Sequence, residues 1–188
     1  MRVEPSCVVI FGIFVESKKK MKDIARQQMS IKVSTMDALN EQIKMEGKAS
    51  ASYLAMASWC DQNGLPGSAD FLYKQASEER EHMMKIFTFI NDAGGNAISP
   101  EITNVNHDFS SLEEVFETAL EQEIAVTKSI HKIVSLSRKS EDYAVESFLQ
   151  WFITEQLEEE KSIRDILDLF QVMGTDGIAL KLIDERIK

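Results

Sequence analysis

Cysteine is nearly absent: Cys7 and Cys60 are the only two in 188 residues. Without a C-x-x-C pair there is no zinc knuckle, no rubredoxin-type iron site and no disulfide framework. That usage suits a reducing cytoplasm. Proline and glycine are scarce as well, three and eight, so little interrupts long helices. Positive charge is short, with 21 Lys and Arg against 31 Asp and Glu and a formal net charge of −10. That balance disfavours nucleic acid or an anionic membrane as partner and favours cations. No apolar run reaches the ~20 residues that a membrane-spanning helix needs. The run Cys7–Val15 is far shorter, and its basic cluster Lys18–Lys20 follows it, whereas a secretory signal carries its charge in front. Residues 1–28 are therefore expected to be an N-terminal extension, disordered or a non-native leader with Met21 as the true start, the alternative being a weak anchor. Residues 29–188 are expected to form the folded domain.

What is present is helical period. Hydrophobic residues make up 44% and charged residues 28%, enough apolar material for one domain with a real core. A first helix is expected to open near Ser34 or Thr35, both good N-caps, and to run to about Gln62. Asn63–Gly67 reads as a short turn that leads into a second, antiparallel helix through Pro66. Gly94-Gly95 stops that helix. The segment 96–110 is polar and has no helical period, but it is long enough to travel the length of a bundle. A third helix, opened by the capping box Ser111–Glu114, can therefore run parallel to the second. A turn at 139–142 leads to a fourth helix, from about Tyr143 to Met173. A short fifth follows Gly177, with Ile178, Ala179, Leu182, Ile183 and Ile187 assigned to one apolar face. The expected fold class is all-α: a four-helix bundle with one long crossover between helices two and three, plus a short C-terminal helix.

Each long helix carries polar, metal-binding side chains on the stripe that should be apolar. Glu46 shares a face with Leu39, Ile43, Tyr53 and Ala57. Glu79 and His82, three apart, share one with Leu72, Ala76, Met83, Ile86 and Ile90. Glu123 lies with Phe116, Ala119, Leu120 and Ile130, and Gln156 and Glu159 lie with Phe148, Phe152, Ile163 and Ile166. A buried carboxylate without a partner is strongly unfavourable. Several converging in one bundle call for cations, and two divalent ions would balance four glutamates. Taken singly, His82 reads as an ordinary core histidine and the run Glu158–Glu160 as a solvated face. The argument lies in their common phase on four helices. A glutamate from each of two helices with Glu-x-x-His from each of the other two is the di-iron carboxylate scheme. This chain follows it except that the last motif is Gln-x-x-Glu. Met83 and Met84 read as core filling, and His107 and His131 as uninvolved.

The stretches LNEQIKMEGKASASYLAMASWC, ASEEREHMMKIFTFI and FLQWFITEQLEEEK together resemble the non-haem bacterial ferritins, from Leu39 to about Ile187. The resemblance implies a five-helix subunit and a homo-oligomeric cage of twenty-four. It implies iron storage with ferroxidase activity: Fe²⁺ is oxidised by O₂ or H₂O₂ and kept as a ferric oxyhydroxide mineral. By the same resemblance, one iron falls on Glu46, Glu79 and His82 and a second on Glu79, Glu123 and Glu159, with Gln156 near the pair. A third iron position falls on Glu78, Glu155, Glu158 and Glu159. Tyr53 and Trp151 match aromatic residues beside the centre, although both also fit plain core packing. Haem is not expected, because Arg80 stands where a haem-ligating methionine would follow the bridging glutamate. The alternative is a soluble di-iron oxidase or peroxidase resembling rubrerythrin. It is disfavoured by the absence of a C-x-x-C electron-transfer domain and of a second Glu-x-x-His.

Overall fold

A computed structural model describes residues 28–187. The expected leader, apart from Gln28, lies outside the described residues. Five helices follow one another: α1 (Val33–Gln62), α2 (Pro66–Asp92), α3 (Leu112–Lys139), α4 (Tyr143–Met173) and α5 (Gly177–Asp184), with no strand among the described residues. None of the described helices is long and apolar enough to cross a membrane.

Two hydrophobic clusters give the helix directions. At one end the last turns of α1 (Met56, Cys60) and α4 (Ile163, Phe170) meet the first turns of α2 (Ala69, Leu72) and α3 (Leu112, Phe116), together with Ile183 of α5. At the other end the start of α1 (Leu39, Ile43) and of α4 (Val145, Leu149) meets the end of α2 (Ile86, Ile90) and of α3 (Ile130, Val134). Helices α2 and α3 thus run parallel, as the long crossover requires. The segment between them is pinned where it starts. Asn40, buried on α1, donates from Nδ2 to the Asn96 carbonyl at 3.1 Å and accepts at Oδ1 from the Ile98 N–H at 2.9 Å. Farther on it lies over Gly47. A Cβ there would stand 3.0 Å from Ile102 and 3.1 Å from Pro100, so close packing of the crossover offsets the ~1 kcal/mol that glycine costs inside a helix.

Helix α1 does not open on Ser34 or Thr35. Its N-cap is Lys32, whose own side chain makes no cap. A buried aspartate from the α3–α4 turn does the work instead. Asp142 Oδ2 accepts from the Lys32 N–H at 2.7 Å and from the Thr35 hydroxyl at 2.5 Å. Helix α2 begins in the same way: Asp184, at the end of α5, accepts from the Ser68 N–H at 2.7 Å and from its hydroxyl at 2.8 Å. Both carboxylates neutralise the positive end of a helix that lies far away in sequence. The box at α3 is half as expected. Ser111 Oγ accepts from the Glu114 N–H, but the Glu114 carboxylate accepts from the N–H of Ser110, one residue earlier than the motif predicts. The expected single face of α5 is also corrected. Ala179, Ile183 and Ile187 are buried, whereas Ile178 is 76% and Leu182 44% exposed.

Candidate metal centre

Between the two apolar clusters lies a polar layer, reached by the middle turns of all four long helices. Glu46, Glu79, His82, Glu123, Gln156 and Glu159 are all buried there, Glu46 and Glu123 completely. Their phase is the phase of the core stripes, so the period that packs the bundle also turns these groups inward.

Two triads bring ligand atoms within 4.8 Å of one another: Glu46, Glu79 and His82, and His82, Glu155 and Glu159. His82 belongs to both. Its Nδ1 lies 3.4 Å from Glu79 Oε2 and its Nε2 lies 3.9 Å from Glu155 Oε1. Burial, helped by the charge of Lys85, pushes the imidazole down to about 4. It is therefore neutral near pH 7, and these approaches are not ion pairs. A neutral imidazole has a lone pair for a metal.

Burial raises the four glutamates. Glu46 goes up to about 7 and Glu159 to about 8, and in Glu159 the charge of Glu123 adds to the burial. Glu79 is raised well above the usual carboxylate range by burial and by the charges of Glu123 and Glu46. Burial also raises Glu123, against the pull of its hydrogen-bond donors. The first of those donors is the Tyr53 hydroxyl, which donates to Glu123 Oε1 at 2.6 Å; Gln156 Nε2 also donates to Oε2 at 3.1 Å. Tyr53 is itself fully buried, and its hydroxyl is spent on orienting Glu123.

The donor set fits hard divalent cations. Glu46 Oε2, Glu79 Oε2 and Gln156 Oε1 are buried and have no hydrogen-bond partner. Among the described residues no ion pair brings a Lys or Arg to Glu46, Glu79, Glu123 or Glu159. Oxygen-rich carboxylates with one imidazole suit first-row metals such as iron.

Of the outer acids, Glu155 and Glu78 are half-buried and Glu158 is exposed. Glu158 supplies no ligand atom to either triad. Trp151 is 39% exposed and packs edge-on to His82, 5.3 Å between ring centres, with Lys85 Nζ 4.3 Å from its ring centre. Trp151 and Phe152 also line a groove of about 670 Å³ with Phe89 and Phe148. His107 and His131 are exposed and belong to neither triad.

Two buried amides were not foreseen from the sequence. Gln42 Nε2 donates to Glu46 Oε1 at 2.9 Å, and Gln75 Nε2 donates to Glu78 Oε2 at 2.5 Å. Each stands one turn before a buried glutamate, Glu46 and Glu79. That i,i+4 spacing is the signal that could have found them.

Comparison with known proteins agrees with this geometry. Residues 36–173 match the ferritin-like domain family. A probable bacterial non-heme ferritin-like protein of Haemophilus influenzae is 43% identical over 147 residues, covering 78% of this chain and 89% of the relative. A bacterial non-heme ferritin of Campylobacter jejuni is 41% identical over 150 residues, covering 80% and 90%. Among solved structures, an open pore ferritin from the hyperthermophilic archaeon Archaeoglobus fulgidus superposes with a TM-score of 0.82 at 36% identity, covering 85% of this chain and 98% of that one. With a family match over most of its length and relatives this similar, the chain belongs to the ferritins, among the bacterial non-haem members.

Proposed function

We propose that this protein oxidises Fe²⁺ at the polar layer of its bundle and stores the product as ferric oxyhydroxide inside a homo-oligomeric shell of twenty-four chains. The observation that carries the reading is the set of buried carboxylate oxygens that lack any hydrogen-bond partner beside a neutral imidazole. Iron is the substrate here, not a resident cofactor. Glu46, Glu79 and His82 would hold one Fe²⁺, and Glu79, Glu123 and Glu159 the other, with Glu79 shared. Gln156 already donates to Glu123 and would stand next to the pair. Glu78, Glu155 and Glu159 line the outer side, where a third iron would sit. The exposed Glu158 would contribute there only by its charge.

The chemistry balances with the oxidants named. Two Fe²⁺ each lose one electron. Dioxygen takes both, with two protons, and leaves as hydrogen peroxide. With hydrogen peroxide as oxidant, the same two electrons and two protons give two waters. Two cations held side by side template the oxidant and share its charge. Carboxylates tolerate the change from ferrous to ferric iron because they shift between bridging and terminal binding. One imidazole among several carboxylates leaves the ferric product displaceable, so it passes on to the mineral. The acidic balance of the chain, −10, favours this cargo over nucleic acid or membrane, and the cysteine usage suits the cytoplasm.

The test is the double variant Glu79→Ala/His82→Ala. Rapid Fe²⁺ oxidation in air should be lost while a helical, assembled particle persists, read by absorbance, circular dichroism and particle mass. Unchanged oxidation would reject the assigned centre. A wild-type particle that remains a colourless monomer or dimer after Fe²⁺ is added in air would reject storage.

A further inference from the structure

Gln75 lies on α2 one turn before Glu79 and on the same face. Its side chain is 5% exposed. Its Nε2 donates to Glu78 Oε2 at 2.5 Å, while the other oxygen of Glu78 lies 3.4 Å from Lys74 Nζ. The same amide reaches the Glu159 carboxyl and works against the upward push of burial there. Its own Oε1 is buried and accepts from nothing. A primary amide has two N–H donors and one acceptor oxygen. Here the amide donates to the half-buried Glu78 at the rim and stands beside the buried Glu159 of α4, and its oxygen is left over.

We propose that Gln75 is a positioning residue for a cation at the rim of the centre: its amide turns Glu78 toward Glu159 and leaves Oε1 as a neutral oxygen donor to the ion those two carboxylates hold. This rests on the di-iron reading above and extends it. Without the amide, two like-charged carboxylates repel, and Lys74 draws Glu78 outward along the surface of α2. Gln75 carries no charge, so it supplies orientation and not attraction. Its loss acts first on the rim ion and leaves the ion on Glu46, Glu79 and His82 in place, because none of those three hydrogen-bonds to it; the second inner ion feels the loss only through Glu159, which it shares with the rim.

Two variants separate positioning from mere packing. Gln75→Met keeps the length and removes both the donors and the oxygen. Gln75→Glu keeps the shape and an oxygen and adds a negative charge. The assay is anaerobic Co²⁺ titration of the assembled full chain, with bound Co²⁺ counted by equilibrium dialysis and its environment followed by visible absorption, beside thermal unfolding. The wild type should take up two Co²⁺ tightly and a third more weakly. Gln75→Met should raise the third dissociation constant about tenfold or more, the scale for removing a group that orients a ligand, with the first unchanged and the second weakened less than the third. Gln75→Glu should hold the third ion at least as tightly as wild type. If Gln75→Met titrates like wild type, or if both variants lose all three ions along with thermal stability, the positioning role is overturned. A wild type that stops at two overturns the rim position, and one that binds no Co²⁺ overturns the di-iron reading itself.

Discussion

Stripping metal from this protein should load its core with protons, and metal binding should expel them. At pH 7 Glu46, raised to about 7, is half protonated, and Glu159, raised to about 8, is nine-tenths protonated. Burial and the charges of Glu123 and Glu46 push Glu79 the same way. Carboxylates bind metal as anions. Saturating the inner pair with a redox-inert divalent ion such as Zn²⁺ should therefore release at least about one proton per subunit at pH 7 from Glu46 and Glu159 alone. That release should grow toward pH 6 and shrink toward pH 9 as both carboxyls ionise. The pH slope of the logarithm of the overall binding constant equals the protons released. The apparent constant for the pair should then rise about 10- to 10²-fold between pH 6 and pH 7 and flatten above pH 8.

The same protons set the stability of the metal-free particle. Folded-state values above the unfolded value of 4.5 mean that the folded chain binds more protons than the unfolded one, between 4.5 and about 8. Stability should fall as pH rises through that window and level off above it. Each group held fully protonated contributes a slope of about 1.4 kcal/mol per pH unit, so Glu46 alone accounts for about 3 kcal/mol. Titration calorimetry in two buffers of different ionisation enthalpy counts the protons, and unfolding with chelator present reads the stability. Fewer than one proton released at pH 7, with no trend in pH, would refute the reasoning. Release that rises toward pH 9 would point instead to water ionising on the metal.

Tyr53→Phe removes the donor at 2.6 Å from Glu123. It should cost about 1–3 kcal/mol of stability and weaken metal binding more at pH 6 than at pH 8, since Glu123 loses a bond that holds its carboxyl down. Equal weakening at both values would reduce Tyr53 to packing. Glu159→His adds a second imidazole to the centre. Slower turnover with ferric iron retained at the site, read by visible absorption, is expected; faster turnover with normal mineral would contradict the displaceability argument. Asp184→Ala strips the cap from the start of α2 and leaves the Ser68 N–H and hydroxyl without their acceptor. The melting temperature should drop by the equivalent of about 2 kcal/mol, with metal stoichiometry unchanged because the loss is confined to the far end of the bundle.

The helices and the inward acids were readable because both obey one rule, the 3.6-residue period, which needs no knowledge of partners. The phase of α4 already separated Glu159 from Glu158. Successive residues turn about 100°, so one of three adjacent acids faces the core and its neighbour faces out. Family likeness alone would have kept both. What the period could not supply were acceptors that arrive from far away in the chain. Lys32 and Ser68 receive their caps from residues 110 and 116 positions later, so the local preference for Ser34 or Thr35 lost to Asp142. The short fifth helix forms where expected, and only its single apolar face differs, for a related reason. Its apolar residues lie on more than one side, and packing of Ile183 and Ile187 against Ile166 and Phe170 of α4, with Asp184 docked on α2, sets which side is buried. Close contact there is severe: a Cβ on Gly67 would land 2.0 Å from the Asp184 carbonyl oxygen. Gln42 and Gln75 fall between these cases. Their i,i+4 spacing to Glu46 and Glu79 was visible, but an amide on a core stripe becomes meaningful only once the carboxylate beside it is known to lack a cationic partner. The buried layer is therefore legible from its charges outward: the acids come first, and the amides and the tyrosine follow as the groups that hydrogen-bond to them.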